Sequence, residues 1–95
     1  MNNSTSVRRF PLGSVVSTPG ALNLLATHET SAFALLALHQ SGHWGDVPPE
    51  DARANDYALT VGARVLSSYA VGDKRLWIIT EADRSSTTLL LPEEY

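Results

Sequence analysis

The run Leu76-Trp77-Ile78-Ile79-Thr80 constrains the fold more than any other part of the chain, because it is apolar on both faces of an extended segment. A strand with one wet face alternates apolar and polar side chains; a run without that alternation belongs inside a sheet, with neighbours on both edges. The flanks supply those neighbours. Val65-Leu66-Ser67-Ser68-Tyr69 lies upstream across the tight connection Val71-Gly72-Asp73-Lys74. Thr87-Thr88-Leu89-Leu90-Leu91 lies downstream across the turn Ala82-Asp83-Arg84-Ser85, and Pro92 stops it. Two consecutive hairpins make an antiparallel meander.

Upstream of the meander the signals are helical. Thr18-Pro19 is a helix start, with a threonine to cap the first turn and a proline suited to the first helical position. Leu22, Leu24, Leu25 and Ala26 follow, and the helix stops near Thr27-His28. A second start at Thr30 or Ser31 leads into Phe33, Leu35, Leu36 and Leu38 with alanines between them. So little of this segment is polar that it is expected to be largely buried. Gly42 ends it. A third helix opens at Val47-Pro48-Pro49-Glu50-Asp51, where acids in the first turn complement the helix dipole. Ala54, Tyr57, Ala58 and Val61 are expected to share its packed face, and Gly62 is the stop. Before all of these, Arg8 to Ser17 reads as an extended edge segment interrupted by Pro11 and Gly13.

The expectation is therefore α+β: an N-terminal strand, two to three helices, then a three-stranded antiparallel meander, with the helices packed on one sheet face. Residues 1–6 are polar and read as a flexible tail, leaving 7–95 as a single domain. Ninety-five residues suffice for one domain only. There are no cysteines, which excludes disulfides, thiolate metal sites and cysteine nucleophiles. The net charge of −3 lacks the basic excess of a protein that grips nucleic acid, so direct nucleic-acid binding is not expected. No apolar run reaches membrane-spanning length. The first residues show no basic region followed by an apolar stretch, so a cytoplasmic location is expected.

Charge is unevenly placed. From Phe10 to Trp44 the only formally charged residue is Glu29. That stretch is either the buried layer or a surface that meets another chain, since two helices on a small sheet cannot hide every side. From Asp46 to Asp56 acids dominate.

Few residues suggest chemistry. His39 and His43 are four apart, the spacing of a helical metal pair. Gly42 intervenes, however, and no glutamate lies between them, so no metal is assigned. There is no Gly-x-Ser-x-Gly elbow and no glycine-rich phosphate loop, so no catalytic residue and no cofactor are assigned either. Trp44, between glycines, either folds back to lock the core or projects as a contact anchor. Asn55 and Asp56 are mediocre helix formers, placed for a hydrogen bond or for exposure. Arg84 either pairs locally within its turn or belongs to a polar cluster that grips a partner.

Several strings resemble a family of small bacterial proteins carried on plasmids and other mobile elements, known by labels such as plasmid-related protein. They are Ser17-Thr18-Pro19-Gly20-Ala21-Leu22, His39-Gln40-Ser41-Gly42-His43-Trp44-Gly45-Asp46, Asn55 with Gly62 to Tyr69, and above all Leu76 to Ser85 with Thr87 to Tyr95. Where members of that family tend to have Gly-Asp-Trp-Gly, this chain has Gly42-His43-Trp44-Gly45. The resemblance implies a non-enzymatic protein-binding module. Its genomic company suggests an inhibitor of host defence, anti-restriction or anti-CRISPR, acting by stoichiometric binding. On that reading Trp44, Asp46, Glu50, Asp51, Asp56 and Arg84 are the partner-binding candidates, the acids facing a basic surface on a nuclease complex. Two alternatives stand beside it. One is a RelE-like ribosome-dependent endoribonuclease toxin, suggested by element order. The other is a homodimeric accessory or regulatory protein.

Overall fold

The computed structural model describes residues 7–95; the segment 1–6, expected to be a tail, lies outside the described residues. The elements are β1 (Ser14–Ser17), α1 (Pro19–Thr27), α2 (Ala32–Gln40), α3 (Pro49–Val61), β2 (Val65–Val71), β3 (Lys74–Thr80) and β4 (Ser86–Leu90), with a closing 3-10 turn at Pro92–Glu94. The class is α+β.

The meander forms as the apolar run demands. β3 lies between β2 and β4 and is antiparallel to both, with Ile78 opposite Ser67 on one side and Leu89 on the other. The sheet is nevertheless mixed. Its order is β1-β4-β3-β2, and β1 runs parallel to β4 with Val15 beside Thr87 and Ser17 beside Leu89. The chain thus leaves β1, passes through three helices, enters the opposite edge at β2 and returns strand by strand. Only four residues of the expected Arg8–Ser17 segment are strand. Upstream of them Phe10 turns into the core, and Gly13, at φ +66°, brings the main chain against the Ser85 carbonyl too closely for any side chain.

Helix boundaries follow the capping chemistry. The Thr18 hydroxyl accepts from the Ala21 N–H at 3.1 Å and donates to Glu94 at 2.6 Å. That donation, with one from the Leu91 N–H, holds the Glu94 carboxyl below the usual carboxylate range. Ser31 caps α2 through the Ala34 N–H. Gly62 closes α3 at φ +73°, the left-handed conformation that a glycine adopts without strain.

One cluster joins Ala21, Leu24, Leu25 and Leu36 of the helices to Tyr69, Val71, Leu76, Ile78 and Leu89 of the sheet. A second joins Phe10, Trp44, Ala58 and Val65.

Two expectations about the helices are corrected. α2 is not largely buried: only Leu36 and His39 are enclosed, while Phe33 is 85% exposed. An all-apolar helix on a domain this small contacts the sheet along one stripe, and the other stripes face out whatever their chemistry. α3 packs through Asn55 and Ala58, whereas Tyr57 and Val61 are exposed. Its packed side includes Asn55, whose amide bonds the Leu66 main chain, a contact invisible to an apolar-periodicity reading. Among the described residues no helix is long and apolar enough to cross a membrane, and the two most apolar, α1 and α2, are bent by 111° at their junction.

Candidate functional site

The largest fully buried polar side chain is His39. Ser67, Thr80 and Thr87 are equally enclosed and lie along a line with it. Nδ1 of His39 is 2.6 Å from the Ser67 hydroxyl, Nε2 is 2.9 Å from that of Thr80, and Thr80 is 2.7 Å from Thr87. The line ends where Thr87 donates to the Leu12 carbonyl at 2.7 Å.

That carbonyl only accepts, so it orders every proton behind it. Thr87 donates to Leu12 and therefore accepts from Thr80. Thr80 has then used its proton and accepts from Nε2–H. Nδ1 is left bare and accepts from Ser67. His39 is thus the neutral Nε2–H tautomer. A second ring proton would oppose the Ser67 hydroxyl. Burial, with the positive charge of Arg84 adding to it, pulls the imidazole down to about 3. The rings of Phe10 and Trp44 close around it, with centroids 5.3 and 5.8 Å away. A histidine so enclosed, with both nitrogens satisfied and no carboxylate bonded to it, positions core strands rather than moving protons for a substrate. It cannot share a metal with His43, whose Nδ1 is instead 2.8 Å from the Ser41 hydroxyl. No cluster of metal-ligating side chains occurs among the described residues.

The sequence candidates divide into two groups. Trp44 is 5% exposed and donates from its indole nitrogen to Asp56 at 3.0 Å. Arg84, itself at φ +60°, donates to the Ala63, Glu81 and Ala58 carbonyls and lies over the Phe10 ring. Trp44, Asp56 and Arg84 thereby have partners within the fold, although Asp56 itself is exposed. Asp46, Glu50 and Asp51 are exposed, and Asp46 pairs with Arg75 at 3.1 Å.

The two edges of the sheet are treated differently. On β2 the outward main-chain groups of Leu66 and Ser68 are covered, while Ala70 at the hairpin end is exposed. The Asn55 side chain accepts from the Leu66 N–H and donates to its carbonyl, at 3.1 and 2.8 Å. Ser68 bonds to the Trp44 carbonyl and the Asp46 N–H, at 3.0 and 2.7 Å, across the close approach of Gly45. On β1, Ser14 and Thr18 point their N–H groups at β4. Alternation therefore turns the N–H and carbonyl of Val15 and Ser17 outward. Among the described residues no strand lies on that side.

Beside this open edge Val15, Val16, Leu22 and Phe33 are 46, 52, 56 and 85% exposed. Leu25, Ala32 and Leu36 complete the groove between them. None of these residues is charged. Sequence reasoning left the uncharged stretch around α1 and α2 as either a buried layer or a contact surface, and it missed the open edge of β1, because which strand ends a sheet is a long-range property.

The molecule is thus a small mixed α+β protein with a hydrogen-bonded polar chain through its core, one sheet edge partly covered at Leu66 and Ser68, and one edge that no strand pairs with among the described residues. Compared with models of known protein families, with curated proteins and with solved structures, the chain matches none.

Proposed function

We propose that this chain is a non-enzymatic protein-binding module, its helices layered on one sheet face, and that its contact surface is the uncharged face formed by β1, α1 and α2. The observation that carries the reading is Phe33, 85% exposed beside Val15, Val16 and Leu22 with no charged residue among them. Isolated exposed apolar side chains are ordinary, but a contiguous patch on an open sheet edge is characteristic of a surface that meets another protein. The similarity to mobile-element proteins supports a narrower assignment, a stoichiometric inhibitor of a host defence complex, with exposed Asp46, Glu50 and Asp51 available to a basic surface.

Plasmid transformation of hosts carrying active restriction or CRISPR systems tests this. Wild-type protein is expected to raise transformation, and Phe33→Glu, which adds a charge to the patch without touching the core, is expected to abolish the effect. No rescue by wild type across a panel of systems overturns the inhibitor assignment. Full rescue by Phe33→Glu overturns the assignment of the face. The same strains read out the toxin alternative, which requires growth arrest on induction.

A further inference from the structure

The protein covers the β2 edge at Leu66 with Asn55 and at Ser68 with the Trp44–Asp46 segment, whereas the four residues of β1 hold no charge and no proline and no strand pairs with their outer side among the described residues. Charge, proline and a covering segment are the devices that ordinarily prevent edge-to-edge association. We infer that the occupant of the β1 edge is a second copy of this chain, the two β1 strands pairing antiparallel about a twofold axis at Val16 so that the four-stranded sheets join into one. This rests on the preceding reading of the face as a protein contact.

The register follows from which groups point outward. In an antiparallel pair, facing residues must both aim their main-chain groups at the partner or both aim them away. Only Val15 and Ser17 of β1 aim outward. The register that uses both sets Val15 against Ser17 of the second copy, and Ser17 against its Val15. Each pair exchanges both N–H···O bonds, and Val16 meets its counterpart on the axis. Val15 shares a sheet face with Ser17 and with buried Leu89, the face on which Leu22 and Phe33 stand at the groove. Joining the sheets therefore continues that groove across the axis and covers the exposed side chains of both copies.

Charge and area favour a second copy over a foreign strand. Two chains of net charge −3 repel wherever their acids meet. Between Phe10 and Trp44 only Glu29 is charged, so self-contact here keeps the acids of the two copies apart, and the charges nearest the edge are Arg8 and Arg9 in the hollows beside Val15. Phe33 alone offers on the order of 200 Å². Together with Val15, Val16, Leu22 and the strand backbone, it reaches a large part of the ~800 Å² per protomer that a stable interface buries. A closed isologous pair also consumes the edge, so association stops at two.

Analytical ultracentrifugation and light scattering over a concentration series are the test, with far-UV circular dichroism to establish that each variant is folded. Wild type is expected at twice the 10.3 kDa chain mass. Val15→Pro removes an outward N–H that makes no bond to β4 and is expected to give a folded monomer. Val16→Lys sets like charges on the axis and is expected to weaken self-association on the order of a hundredfold. Mixing Val16→Lys with Val16→Glu is expected to restore a heterodimer, which only a twofold at Val16 predicts. A wild-type monomer at millimolar concentration overturns the proposal, as does a dimer that survives both variants. If that monomer still protects plasmids and loses protection with Val15→Pro, the edge receives a strand of the target. The self-pairing then fails while the reading of the face stands.

Discussion

Lowering the pH should destabilise this protein, with His39 the largest single contributor. His39 is neutral in the fold, pulled down to about 3, and returns to about 6.5 when the chain unfolds. Its folded value lies below its unfolded one, so the contribution is fully present above pH 6.5 and is lost as the pH falls, because only the unfolded chain takes up the proton. Between those limits stability declines by about 1.4 kcal/mol per pH unit, which is about 3 kcal/mol by roughly pH 4.5 and about 5 kcal/mol across the window. A domain of this size has about 5–15 kcal/mol in all, so His39 alone commits a large share. The assay is urea unfolding followed by tryptophan fluorescence at a series of pH values, for wild type and for His39→Gln. Glutamine keeps a donor and an acceptor near Thr80 and Ser67 but does not titrate. Subtracting the two pH profiles removes the contribution of carboxylates such as Asp83 and Glu94, which hydrogen bonds hold below their usual range. The difference is expected to slope through the window, and imidazole nitrogen spectra at pH 7 are expected to show Nε2 protonated and Nδ1 bare. Parallel profiles, or a His39 ring that titrates near 6.5 in the folded protein, would refute both the tautomer and the enclosure from which the magnitude was worked.

Other substitutions probe the supports of the fold. Asn55→Ala strips both bonds from the outward edge of Leu66 in a half-enclosed site and should cost about 2–3 kcal/mol in urea unfolding. Gly45→Ala should cost more, about 3 kcal/mol or above, since φ is +79° and a Cβ there would run into the Ser68 carbonyl; thermal scans that show no loss would contradict the close approach. Removing the Asp46–Arg75 pair, whose side chains are 58% and 48% exposed, should change stability by under ~0.5 kcal/mol in a double-mutant cycle, because solvent screens it.

Local chemistry decided much of this molecule. Thr18, Ser31 and Gly62 start or stop helices by caps that need only neighbouring residues; the sequence reading placed Thr18 and Gly62 and narrowed the second start to Thr30 or Ser31. The apolar run at Leu76–Thr80 required a central strand, and the meander around it followed from turn residues a few positions away. What the sequence could not carry is whatever depends on elements brought together from afar. His39 met Ser67 of β2 and Thr80 of β3, and through Thr80 the hydroxyl of Thr87, only in the folded chain, so a residue first weighed as half of a metal pair became the centre of a core hydrogen-bond chain. Asn55 and Asp56, chosen for hydrogen bonds or exposure, found their partners in Leu66 and Trp44. Phe33, apolar and expected inside, stands outside, because burial is assigned by which stripe of a helix meets the sheet. The parallel seat of β1 beside β4 decided which edge is open among the described residues. Residue type sets what a segment can do alone; the distances between segments set which of its groups are left without a partner.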